Sequence, residues 1–149
     1  MDFRLRALCL ALVLGSCASP RTNLSGTWKL NASKAHPVGG MEGLTIKFDQ
    51  RGRQLHESIT TTTAGSRAEI HHSLNYTTDG KQSINQLDGQ DVTCRAWWEG
   101  TSLVTEWGDG RRAFRRQFTL AEGGKTMTMT VHHLGMGEEP DESVVLERQ

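Results

Sequence analysis

Little in this chain could make a disulfide, an electrostatic grip or a membrane span. Its three cysteines are Cys9, Cys17 and Cys94. The first two fall in or at the end of a leader described below, so one thiol remains. One thiol makes no internal disulfide, and the domain must be held by its core. Seventeen basic residues are matched by seventeen acidic ones, a balance that argues against holding nucleic acid by charge. The apolar run Ala7 to Leu14 is too short to cross a bilayer. There is no Gly-x-Ser-x-Gly elbow, no phosphate loop, no Cys-x-x-Cys and no His-x-x-x-His. Nor is there a low-complexity stretch or a second domain, and the length suits a single core. On these absences the chain is not expected to be an enzyme or to need a cofactor.

What is present begins with an address. Arg4 and Arg6 form a short basic region ahead of the apolar run, as in a signal peptide. The run ends in Leu14-Gly15-Ser16-Cys17, which resembles a bacterial lipobox. In that pattern a branched residue and two small ones precede the cysteine that is diacylated and becomes the new N-terminus. The resemblance implies a signal peptide over 1–16, a lipid on Cys17, a tether over 17–23 and a domain over 24–149. The tether, fully extended, reaches roughly 20 Å. It also implies a bacterial envelope protein, and Ala18 after the cysteine leans towards the outer membrane. The alternative is an ordinary signal peptide cleaved near Ala18, with Cys17 lost. Either cleavage removes Arg4, Arg6 and Asp2 and leaves a net charge of about −1.

The domain opens on Leu24-Ser25-Gly26-Thr27-Trp28-Lys29-Leu30. In an extended strand Leu24, Gly26, Trp28 and Leu30 share one side. Gly26 leaves room for a neighbour, and Trp28 offers a broad surface to pack on. From residue 43 onward, turn signals such as Asp79-Gly80, Asp88-Gly89, Glu99-Gly100 and Gly123-Gly124 recur between short stretches rich in β-branched and aromatic residues. Strands are predicted at 24–30, 43–49, 54–62, 67–76, 81–86, 91–98, 101–107, 111–120, 125–133 and 142–148. With no helical period between them, they form an antiparallel meander. A meander this long has open edges unless it curls shut. The fold class is therefore all-β, an up-and-down barrel of about 8–10 strands, closed by its opening and final segments.

Gly-Thr-Trp in a first strand followed only by hairpins resembles the start of the lipocalins and of the fatty-acid-binding proteins, both calycins. The resemblance covers nearly all of the chain after the leader. It implies that Arg148 packs across Trp28, since lipocalins place a basic residue there near the C-terminus. Fatty-acid-binding proteins carry a two-helix lid between their first two strands, for which 31–42 is far too short. They also carry an inward Arg-x-Tyr in the final strand that grips a carboxylate. Those places fall on Val144 and Leu146, so that grip is not carried over.

Strand parity assigns the inside. Apolar inner rows include Leu44, Ile46 and Phe48, then Ile70, Leu74 and Tyr76 with His72, then Val92, Cys94, Ala96 and Trp98. Phe114, Phe118 and Leu120 share a face with Arg112 and Arg116, and Met127, Met129 and Val131 with His133. Apolar rows with one polar member suit a cavity with a polar handle. Its expected walls are Trp98, Tyr76, Phe114, Phe118 and Met129, with Arg116 and His72 for polarity. Arg116 has two readings: it holds an anionic head bidentately, or it pairs with Glu57 or another wall carboxylate. Inward His72 and His133 invite metal or haem, but without a supporting motif hydrogen-bonded histidines are the default. Cys94 reads as a buried apolar residue, and Trp97 as an outer ring stacked beside Arg95. The acidic segment with Met136, Glu138 and Glu139 reads as a solvated loop. The function expected is an envelope lipoprotein whose barrel binds a small hydrophobic or amphipathic molecule. A filled barrel acting as an interaction module is the alternative.

Overall fold

The computed structural model describes residues 22–34, 40–66, 68–108, 113–135 and 140–149. The expected leader, Cys17 and most of the tether lie outside the described residues, as do Arg112, Met136, Glu138 and Glu139. Ten strands run in chain order: β1 (Gly26–Leu30), β2 (Met41–Arg51), β3 (Gln54–Thr63), β4 (Glu69–Thr77), β5 (Ser83–Leu87), β6 (Gln90–Glu99), β7 (Ser102–Gly108), β8 (Ala113–Leu120), β9 (Thr126–Leu134) and β10 (Glu142–Arg148). Each lies within two residues of its predicted span at either end, because hairpin turns and period-two patterning are local signals. At Asp88-Gly89 both residues take positive φ, 51° and 79°. That is the conformation a two-residue turn needs to match strand twist.

All ten strands form one antiparallel sheet in the order β4-β3-β2-β1-β10-β9-β8-β7-β6-β5. The opening and final strands do close it: Trp28 lies opposite Arg148 on one side and Ile46 on the other. The continuous cylinder expected from the hairpin rhythm needs one correction. No ladder joins β4 to β5, although the two touch. The Asp79-Gly80 turn is drawn elsewhere, with Gly80 N–H donating to the Ala96 carbonyl of β6 at 2.9 Å and Thr78 N–H to the Arg53 carbonyl at 2.8 Å. Side chains bridge the seam instead. Asn85 Oδ1 accepts from the Asn75 N–H at 2.7 Å, and Asn85 Nδ2 and Ser83 Oγ both donate to the Asn75 carbonyl at 2.9 Å.

The barrel interior has two halves. One end, where the chain enters and leaves, is packed solid with Leu24, Trp28, Phe48, Leu103, Phe118, Met127 and Leu146, all at most 1% exposed. Phe48 and Phe118 meet edge to face at 5.2 Å, a favoured aromatic geometry. Trp28 Nε1 donates to the Leu24 carbonyl at 2.8 Å. The Arg148 guanidinium sits 4.4 Å from the Trp28 ring and donates to the Ser25 and Gly124 carbonyls at 3.0 and 3.1 Å. Gly26 has φ +133°, and a Cβ there would stand 3.3 Å from Arg148 Nη1. Any side chain would strain the backbone, and the guanidinium would have to give by a few tenths of an ångström. The opposite end is hollow.

Candidate functional site

The site is built where the packed half stops. Three inward side chains from three strands meet there: Glu57 of β3, Tyr76 of β4 and Arg116 of β8. Arg116 donates to Glu57 with Nη1 to Oε1 at 2.9 Å and Nη2 to Oε2 at 2.8 Å. The Tyr76 hydroxyl donates to Glu57 Oε2 at 3.1 Å and accepts from Arg116 Nη2 at 3.2 Å. Glu57 is fully buried and Arg116 is 7% exposed. Of the two sequence readings of Arg116, the structure shows the pairing with Glu57, in the fork geometry that suits guanidinium and carboxylate. Burial and the neighbouring Glu57 charge push the Tyr76 phenol well above its ordinary range. Burial alone would lower Arg116, but the Glu57 carboxylate outweighs it and holds the guanidinium above its usual value.

Above this layer opens a cavity of about 410 Å³. Its walls include Leu44, Ile46, Ile59, Phe114, Met129 and Val131, with Trp107 and, on the floor, Arg116. Polar groups gather towards the mouth: Thr61, Thr63, His72, His133 and Glu142. His72 Nε2 lies 3.5 Å from Asp88, and His133 Nε2 lies 3.9 Å from Glu142. Phe114 meets the His133 ring edge to face at 5.1 Å.

Four of the seven expected ligand contacts line this cavity: Arg116, His72, Phe114 and Met129. Tyr76, Trp98 and Phe118 do not. Phe118 is fully buried against Phe48, and Trp98 shares its row through Leu103; the row continues to Met129, which does reach the cavity. Tyr76 lies opposite Leu55, below the level of Glu57. Trp107, which no inner row had included, lies opposite Phe114 in the hollow half. Parity along 101–107 would have found it. Ile70, read as inward, stands at the rim and is 47% exposed.

Other candidates resolve locally. Trp97 donates its indole N–H to Glu99 at 2.9 Å, and Arg115, rather than Arg95, lies over its ring at 5.6 Å. Cys94 is buried, and that burial pushes its thiol up. Outside the barrel, His56 Nδ1 meets Asn75 Oδ1 at 2.9 Å, and its Nε2 meets Ser58 Oγ at 3.2 Å. The outline is that of a serine–histidine relay, but the orienting group is a neutral amide and the surrounding backbone N–H groups are used in the β3–β4 ladder. A cross-strand tie is all this arrangement can supply. A depression of about 500 Å³ beside it is lined by Asp49, Arg51, Gln54, His56, Asn75 and Ser83, together with Leu55, Tyr76 and Thr77. Among the described residues no three His, Cys, Asp or Glu side chains are grouped to hold a metal ion.

The geometry is that of a half-hollow antiparallel barrel, and solved structures share its fold. Fatty-acid-binding protein 1 of Echinococcus granulosus is 14% identical, covers 83% of this chain and 96% of its own, and superposes with a TM-score of 0.58. A Schistosoma mansoni fatty acid binding protein in complex with arachidonic acid is 15% identical, over 85% and 96% of the two chains, with a TM-score of 0.59. A secretory abundant heat soluble protein of Ramazzottius varieornatus is 11% identical, over 84% and 94%, with a TM-score of 0.64. At these identities the likeness is one of fold. No protein-family profile and no curated protein matches the chain.

Proposed function

We propose that this is a non-catalytic envelope lipoprotein whose barrel holds a small hydrophobic or amphipathic molecule in its hollow half. The observation that carries the reading is the cavity of about 410 Å³ with aliphatic and aromatic walls. Burying a guest there yields roughly 25 cal/mol for each Å² of apolar surface removed from water. The bound fatty acid of the Schistosoma mansoni structure supports the same use of the fold. The polar mouth would orient the guest, since pockets of this kind combine apolar walls with a few placed polar groups.

Titration with the neutral dye Nile red tests the reading. Binding should raise dye emission with one site per chain, and Ile59→Trp, which fills the cavity from its wall, should weaken the dye at least tenfold while leaving circular dichroism unchanged. No emission change with the native chain would refute it. The proposed anchor is tested separately by intact mass. Protein from a bacterial membrane fraction should start at Cys17 and carry added acyl mass, and Cys17→Ser should move it to the soluble fraction. An unmodified N-terminus at Ala18 would instead establish simple secretion.

A further inference from the structure

We propose that the guest is electrically neutral, a single apolar chain with a hydroxyl or carbonyl head, and that the cavity discriminates against free carboxylates. This rests on the binding reading above and specifies its ligand class. Arg116 is the one Lys or Arg among the described residues lining the cavity, and both its terminal nitrogens are committed to Glu57. Each oxygen of Glu57 accepts, and Oε2 also receives the Tyr76 hydroxyl. A group that only accepts is a carboxylate, so the floor carries one positive and one negative charge and no surplus.

A guest carboxylate would be the second anion on one guanidinium, beside a fully buried Glu57. Arg116 Nε is buried without a partner and can donate one hydrogen bond to a guest carbonyl or hydroxyl. A guest carboxylate that took the terminal nitrogens, however, would unseat Glu57, which is fully buried and faces no other Lys or Arg among the lining residues. Leaving that buried carboxylate unpaired costs far more than a new ion pair with the guest could offset. At the mouth a guest carboxylate would meet Glu142, a like charge. The two imidazoles there already face carboxylates of the chain, His133 facing Glu142 at 3.9 Å and His72 facing Asp88 at 3.5 Å. A neutral head meets neither penalty. Thr61 and Thr63 at the mouth offer hydroxyls that donate and accept. At about 30 Å³ for each methylene-sized group, the share a water takes in the liquid, the cavity accommodates a chain of roughly a dozen carbons.

Displacement of Nile red by three ligands of one chain length tests this at pH 8: 1-dodecanol, methyl dodecanoate and dodecanoate. The alcohol and the ester should each displace the dye at concentrations at least tenfold lower than the acid. The ester matters because it masks the charge and keeps the carbonyl. Glu57→Gln keeps the shape of the side chain and removes its charge, so it should raise the affinity for dodecanoate relative to that for 1-dodecanol tenfold or more. Should that variant fail to fold, the native comparison of ester with acid still decides. Equal binding of acid and ester, or tighter binding of the acid, would overturn the neutral-guest proposal while leaving the binding function standing. Failure of the dye and all three ligands to bind would overturn both.

Discussion

Glu57→Leu should destabilise the fold by about 3–5 kcal/mol, while Glu57→Leu combined with Arg116→Met should recover most of that loss. The single change leaves a guanidinium buried with no counter-charge, and breaking one side of a buried ion pair has effects of that size. The pair replaced together leaves two apolar side chains of similar volume, a swap that is often neutral or even stabilising. Tyr76 modifies the outcome, because its hydroxyl donates to Glu57 and would lose its acceptor in both variants. Adding Tyr76→Phe to the double variant removes that orphaned group and should recover a further ~1 kcal/mol. Urea midpoints for the single, double and triple variants measure this directly. Equal loss in the single and the double variant would mean that the residues do not act as a pair, and the cavity floor would then not be charge-balanced.

Trp28→Ala is the second large effect, expected at about 3–5 kcal/mol, or roughly 10–20 °C in Tm. Trp28 is fully buried at the packed end, its N–H bonds to Leu24, and it is the surface on which Arg148 rests. Truncation therefore opens a large void and frees the residue that ties the final strand to the Ser25 and Gly124 carbonyls. Arg148→Ala alone should cost less, about 0.5–2 kcal/mol, the range of a cation over an aromatic ring. Thermal unfolding by circular dichroism separates the two. A shift below about 5 °C for Trp28→Ala, the size of a ~1 kcal/mol effect, would show that the packed end is not the keystone of the fold.

The fold was largely legible in the sequence because each hairpin announces itself. A turn pair such as Asp88-Gly89 and two or three alternating residues on either side are enough to place a strand. The site was legible only by side. Parity put Arg116, Phe114 and Phe118 indoors, yet it says nothing about depth along the barrel axis. Depth follows from register, which runs through partners far apart in sequence, such as Thr105 opposite Arg116 and Leu103 opposite Phe118. Phe118 shares a row with Met129, yet Met129 reaches the cavity while Phe118 packs edge to face on Phe48. The Glu57 pairing was one of two open readings, because the two residues stand 59 positions apart and no local pattern brings them together. Missing strand pairing at the seam had no signal at all, since Asp79-Gly80 looks like every other hairpin turn.

That seam has a consequence for the protein among its own copies. Ten strands joined by nine ladders form a bent sheet with two rims, and a rim of unpaired peptide groups invites a strand from another molecule. At the point of closest approach, Asn85 occupies the N–H and carbonyl of Asn75 with one primary amide, doing with a side chain what a neighbouring backbone would otherwise do. With Ser83 Oγ on the same carbonyl, the peptide groups of Asn75 that a strand from another copy would use are already taken.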